Sequence, residues 1–317
     1  MTPNQIFVLG AGAIGSTYGS LLSKRNNVKL IGNKNHVSAV NSKGLLVSGY
    51  QNQAFQVKAD TQIQEIPEKT WIILTTKAYD SEEAIKRIHR LLKEDTVILI
   101  LQNGLGIKEV VRRAASGRAK ILRGITTMAA EFFKPGKIRF WNGETIIEKC
   151  RIGEEIAEVF EGCGLKTRLV NNIEKEVWNK LVINCVVNPL STLFRVRNHE
   201  IVADSLEFVR HAIVNECVQV GKAEGIVFPS EFEKEIDDKI LGYTNYSSMY
   251  QDRIKGKRTE IDFLNGKIVE LGQKHHISTS INETIVHLIE FLEEKNGISR
   301  TDWAKERQRE HCDVDSL

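Results

Sequence analysis

Two kinds of hydrophobic pattern divide the chain. In the first half, compact apolar runs alternate with helix-length stretches. Gln5–Leu9, Val28–Ile31, Trp71–Thr76, Thr96–Leu101 and Lys120–Ile125 are short and rich in β-formers, as buried parallel strands are. Strands separated by helix-length segments predict βαβ units and a parallel sheet. Phe55, Val57 and Ala59 alternate with polar residues, which predicts an inserted hairpin. From Asn171 onward the period becomes helical. Ile261, Leu264, Ile268 and Leu271 form one apolar stripe, and Gly272 is placed to end that helix. The expected architecture is α/β: a doubly wound parallel sheet over residues 1–171, then an all-α domain over residues 172–317. The charged stretch after Gly297 is expected to fray or to form a surface helix.

Composition fits this division. A chain of 317 residues holds two domains at roughly 150 residues each. Hydrophobic residues are 41% and charged residues 27%, with a net charge of +3, so neither a disordered chain nor a nucleic-acid partner is expected. No apolar run reaches the ~20 residues of a membrane span. The N-terminus runs straight into a strand-like segment without a cationic flank and reads as mature sequence. The five cysteines are scattered, odd in number and never C-x-x-C, which fits a reducing, cytoplasmic setting without disulfides or structural zinc.

The first apolar run feeds Gly10-Ala11-Gly12-Ala13-Ile14-Gly15, a G-x-G-x-x-G turn that opens a helix. Gly10 permits the tight turn, Gly12 lets backbone approach a pyrophosphate, and Gly15 lets helix and strand pack closely. The helix N-terminus offers free N–H groups and a positive dipole end to phosphates. This context predicts a Rossmann-type dinucleotide-binding domain. A site for NAD often closes its second strand with Asp or Glu. Here that strand ends Leu30-Ile31-Gly32-Asn33-Lys34, with no acid. Asn33 is placed to hydrogen-bond a 2′-phosphate and Lys34 to pair with it, so NADPH/NADP is the expected cofactor. The competing reading of Lys34 is a solvated turn lysine. Two further strands end in polar residues, Lys77 and Gln102-Asn103-Gly104. Ligands of open α/β sheets bind outside that edge.

In the second half, Lys180, Asn184 and Asn188 follow i, i+4, i+8 and share one helix face. Leu181, Val182, Ile183, Val186 and Val187 mark the helix as largely buried. Buried polar side chains cost free energy unless partnered. Either a small polar ligand or neighbouring backbone supplies the partners. Pro189 is expected to end or bend the helix. Ser248 with Gln251 matches a capping box, and Glu260 a carboxylate favoured in a first helical turn. His275 and His276 are adjacent, share no helix face, and read as an exposed pair; no metal site is expected. No Tyr-x-x-x-Lys occurs, so short-chain dehydrogenase chemistry lacks its acid.

The blocks GAGAIG, TTKAYD, LQNGLG, GITTMAAEFFKPG, WNKLVINCVVNPLS and SSMYQDRIKGKRTEIDFLNG stand in this order along the chain. On these blocks the sequence resembles the 2-dehydropantoate 2-reductase (ketopantoate reductase) family, from the glycine turn to Glu294. The last two blocks are far more specific than the first. The resemblance implies NADPH-dependent reduction of 2-dehydropantoate to pantoate, on the route to pantothenate and coenzyme A. It implies that Gly10 to Gly15 hold the pyrophosphate and that Lys77, Asn103, Ala130 and Glu260 lie at the cofactor. Lys180 matches the proton donor, and Asn103, Asn184, Asn188, Asn198 and Ser248 match substrate contacts. Three features depart from the family pattern: Asn33 where arginine is frequent, His199 for a glycine beside Asn198, and a shortened segment after Gly143.

On this reading the cofactor supplies a hydride to the C2 carbonyl carbon, and Lys180 protonates the carbonyl oxygen. Glu260 orients cofactor and substrate. Two alternatives stand beside it: an NADPH-dependent reductase of another small 2-oxo acid, and a non-catalytic NADP(H) sensor. By analogy with other α/β oxidoreductases, the helical half is a candidate homodimer surface.

Overall fold

A computed structural model describes residues 3–298. In chain order the strands are β1 (Gln5–Leu9), β2 (Val28–Ile31), β3 (Leu45–Gly49), β4 (Gln53–Phe55), β5 (Lys58–Asp60), β6 (Thr70–Leu74), β7 (Val97–Ile100), β8 (Lys120–Thr126), β9 (Ala129–Lys134), β10 (Lys137–Trp141), β11 (Thr145–Glu148) and β12 (Thr167–Val170). The helices are α1 (Ala13–Leu22), α2 (Lys34–Lys43), α3 (Ser81–Ile88), α4 (Ile107–Ala115), α5 (Arg151–Gly162), α6 (Ile173–Phe194), α7 (Glu207–Ala223), α8 (Phe232–Leu241), α9 (Ser248–Ile254), α10 (Asn265–Lys274) and α11 (Ser280–Lys295).

The main sheet has eight strands in the order β12-β11-β8-β7-β6-β1-β2-β5. It is parallel from β5 to β8, and β11 then pairs antiparallel with β8. Alternation along β1 sends Ile6 and Val8 to one face, packed with Tyr18 and Leu21 of α1. Phe7 and Leu9 go to the other face, packed with Ile85 of α3 and Val111 of α4. Helices thus cover both faces, as a doubly wound sheet requires. From β1 the chain passes to β2 on one side and later to β6 on the other. The switch point therefore lies at the carboxyl ends of β1 and β6, where such folds bind ligands.

The single inserted hairpin is not what forms. β3 and β4 do pair as a hairpin, but within a separate four-stranded sheet ordered β4-β3-β10-β9. Phe55 closes β4, whereas Ala59 lies in β5 at the edge of the main sheet. The alternation was real but spanned two strands of different sheets. Half of the second sheet comes from β9 and β10, far away in sequence, so no local pattern announces it.

Beyond β12 the described chain is helical. Pro189 neither ends α6 nor shortens it: the helix runs 22 residues, to Phe194. A proline at position 189 supplies no N–H to the carbonyl of Cys185. That carbonyl instead accepts from Asn265 Nδ2 at 3.0 Å, and Asn265 is fully buried. The bond ties α10 to the middle of α6. Gly272 does not end α10 either. The helix continues to Lys274, and the left-handed position falls on His276, at φ 56°. A Cβ at Gly272 would sit 2.6 Å from Thr279 Cγ2, so this glycine serves close packing. The histidines also differ from the exposed pair expected: His276 is exposed, but His275 is partly buried against the Glu224 carboxylate. The charged stretch after Gly297, with Cys312, lies outside the described residues, apart from Ile298.

Candidate active site

The glycine turn lies at the switch point. Gly10 has φ 109°, and a Cβ there would meet Thr76 N at 2.3 Å, so neither the conformation nor the space admits a side chain. At Gly15 a Cβ would meet Gly10 O at 2.2 Å. Gly12 is exposed, a Cβ there would meet nothing within 4 Å, and as the N-cap of α1 it offers no side-chain cap to the first amides. Open glycine backbone over free N–H groups fits a dinucleotide pyrophosphate. At the end of β2, Asn33 accepts from His36 N at 3.0 Å and so caps α2, while Lys34 begins that helix, exposed.

Opposite the switch point, the turn before α10 closes on the sheet edge. Glu260 Oε1 accepts from Ala78 N at 2.9 Å, and Leu105 N donates to Phe263 O at 3.1 Å. Gly104, at φ 93°, lets the loop pass so closely that a Cβ would sit 2.5 Å from Phe263 O. Lys77 Nζ bonds Asp252 Oδ2 at 2.5 Å and Glu260 Oε2 at 3.3 Å. Burial opposes the Lys77 charge, but the two carboxylates outweigh it and hold the ammonium firmly protonated. Burial raises the Asp252 carboxyl against the pull of Lys77.

Lys180 reaches out of α6 and donates to the carbonyl of Thr126, at the end of β8, at 2.5 Å. Its ammonium is pulled down to about 7, first by burial and then by the charge of Arg123, with Glu260 opposing. A lysine in that range exchanges its proton near neutrality, which an ordinary lysine does not.

The asparagines behave alike. The side-chain amides of Asn103, Asn184, Asn188 and Asn198 make no hydrogen bond to any described residue. Asn198 is only 4% exposed, and its Oδ1 is buried without a partner. A buried oxygen of this kind costs free energy unless a ligand completes it. The capping box expected at Ser248 does not form; the N-cap is Ser247, one residue earlier. Ser247 Oγ accepts from Tyr250 N at 3.1 Å and from Ser191 Oγ at 2.8 Å, leaving the Ser248 hydroxyl without a partner. The structure brings Lys77, Asn103, Lys180 and Glu260 to the edge beside the glycine turn. Asn33 and Lys34 follow the end of β2, whose Ile31 carbonyl accepts from Gly10 N and Ala11 N, and Ala130 lies on β9 of the second sheet.

Two members of the cluster were missed. Asp252 is separated from Lys77 by 175 positions, so no spacing links them. Arg123 carried a usable signal, a charged residue inside the otherwise apolar run Ile121-Leu122-Arg123-Gly124-Ile125. Among the described residues, no group of three or more His, Cys, Asp or Glu side chains converges as for a metal ion. No described helix is long and apolar enough to cross a membrane.

Fold and site together define a nicotinamide-dependent oxidoreductase. Residues 6–151 match the family model for ketopantoate reductase PanE/ApbA, and residues 172–293 match that for its C-terminal region. The chain belongs to the ketopantoate reductase family. It is 36% identical over 306 residues to the 2-dehydropantoate 2-reductase of Pyrococcus horikoshii, covering 93% of this chain and 100% of that one. Identity to the enzyme of that name from Archaeoglobus fulgidus is 33%, covering 92% and 99%. A ketopantoate reductase of known structure from Ralstonia eutropha superposes with a TM-score of 0.86 at 27% identity, covering 92% and 99%. D-mandelate dehydrogenase with NADH and anilino(oxo)acetate gives 0.86 at 28%, with the same coverage.

Proposed function

We propose that the protein reduces 2-dehydropantoate to pantoate with NADPH, with Lys180 as the proton donor. One observation carries this reading: the Lys180 ammonium, supplied by the helical half, stands at the carboxyl edge of the sheet that bears the nucleotide turn. Residues 1–171 hold the cofactor in this proposal and residues 172–317 supply substrate contacts. The setting is cytoplasmic, which the scattered free cysteines support.

Gly10 to Gly15 hold the pyrophosphate, and Asn33 and Lys34 take the 2′-phosphate. Ala130 lies alongside the cofactor. When bound, the cofactor supplies the hydride. The chain's residues do the rest. Asn103 and Lys180 bind the substrate carbonyl, while Asn184, Asn188, Asn198 and Ser248 hold its hydroxyl and carboxylate ends. As charge grows on the carbonyl oxygen, the Lys180 ammonium attracts it more strongly and then gives up its proton, the differential stabilisation catalysis needs. Glu260, fixed by Ala78 N and Lys77, orients cofactor and substrate.

A panel of 2-oxo acids assayed with NADPH, followed by nicotinamide absorbance, tests the proposal. 2-Dehydropantoate is expected to give the highest kcat/KM, and a better aryl 2-oxo acid would replace it. Lys180→Ala is expected to lower kcat/KM by ~10²–10⁴-fold. A change of only a few-fold would remove Lys180 as the acid. Activity is expected to decline as pH rises through about 7, where Lys180 loses its proton.

A further inference from the structure

Arg123 stands in the middle of β8, in register with Ile100 of β7, and is 3% exposed. Its guanidinium makes four hydrogen bonds, all to backbone carbonyls: Nη1 to Ile100 at 3.2 Å and Gly124 at 2.9 Å, Nη2 to Gln102 at 2.8 Å and Gly104 at 3.2 Å. No described carboxylate lies within ion-pair distance of it. An unpaired buried cation costs several kcal/mol, and carbonyl dipoles only partly offset that cost. A neutral side chain would staple two strands more cheaply. The carbonyls it holds flank Asn103, and the same loop meets Phe263 through Leu105 N. Three residues along the strand, Thr126 presents the carbonyl that receives Lys180.

We propose that Arg123 is a positioning residue for the reduction: it clamps the loop bearing Asn103 against the cleft and confronts the Lys180 ammonium with a permanent buried cation. The inference rests on the reading of Lys180 as the acid. Burial pulls the guanidinium down only to about 10, so the charge persists across the working range. The charged groups acting on Lys180 are Arg123 from β8, which disfavours its protonation, and Glu260 from the turn before α10, which favours it. Lys77 bridges Asp252 and Glu260 instead. Arg123 thereby adds to burial, the larger cause, in easing release of the Lys180 proton, without touching substrate.

The test compares the parent with Arg123→Met and Arg123→Lys, adding Arg123→Gln should the methionine variant not fold. Competitive acetylation of Lys180 across pH, read by peptide mass spectrometry without substrate or cofactor, gives the titration midpoint of that lysine directly. The midpoint is expected to rise by about half a unit or more when the charge is removed and to stay near the parent value in Arg123→Lys. Amide exchange over residues 102–106 is expected to quicken in every variant, with a several-fold rise in KM for the 2-oxo acid. Where kcat/KM falls with pH should move with the labelling midpoint. If Arg123 is only a strap, exchange quickens but all midpoints coincide, and the proposal fails. Should the parent not reduce 2-dehydropantoate, the substrate reading fails while the labelling midpoints still decide the role of Arg123.

Discussion

Asn33 and Lys34 share a turn but have different freedom to act. The Asn33 carbonyl oxygen is engaged in capping α2, so only its amide remains to meet a phosphate. Lys34 therefore carries most of any 2′-phosphate recognition. One charge-assisted hydrogen bond contributes about 1.5–3 kcal/mol, and about 1.4 kcal/mol is tenfold in affinity. Lys34→Ala is accordingly expected to weaken NADPH binding by about tenfold or more and to leave NADH unchanged, measured by fluorescence titration of each nucleotide. An unaltered NADPH-to-NADH ratio would reject Lys34 as the phosphate reader. At this scale the sequence yields chemistry when neighbours are local. The glycine turn and the stripe of Lys180, Asn184 and Asn188 could be read because one strand–turn–helix or one helix contains them. The Lys77–Asp252 pair could not, since its geometry exists only after the two halves dock.

The fit of Pro189 inside α6 shows how one element is completed by another. Asn265 of α10 replaces the hydrogen bond that the proline removes. Removing that amide leaves a buried carbonyl unpaired, at a cost of about 1–3 kcal/mol. Asn265→Ala is expected to lower stability by that amount in urea unfolding. A loss below about 0.5 kcal/mol would show that the Cys185 carbonyl finds another partner. Sequence reasoning placed the main strands well because parallel strands buried on both faces read as short continuous apolar runs. Neither Gly272, expected to end its helix, nor Pro189, expected to end or bend its own, ends one. Both residues normally stop helices, and here Asn265 from α10 and nearby Thr279 make their presence inside a helix compatible with packing.

Across the whole molecule, the two halves meet through the Ala78–Glu260 and Lys180–Thr126 hydrogen bonds at the main sheet's edge and the Lys255–Phe132 hydrogen bond to β9 of the second sheet. A dinucleotide seated at that edge binds the native arrangement and not the unfolded chain. NADPH at about a hundred times its Kd is expected to add about 2.7 kcal/mol, seen as a rise in Tm by calorimetry, with a smaller rise for NADH at equal concentration. An equal rise with both would contradict the cofactor reading. The division into a doubly wound sheet and a helical half was legible from the change in hydrophobic period. The second sheet was not, because its strands are brief and recruited from distant segments.

Lys180, Asn184 and Asn188 ride on a single unbroken rod. Their mutual spacing is set by helical pitch, about 12 Å from first to last, and no hinge or insertion within the rod can retune it without rotating every later position off the stripe. On the proposed substrate reading, diversification toward longer or bulkier oxo acids would therefore proceed through the Asn198 turn, Ser248 and the loop after β7. The rod works as a fixed gauge against which those adjustable parts are set.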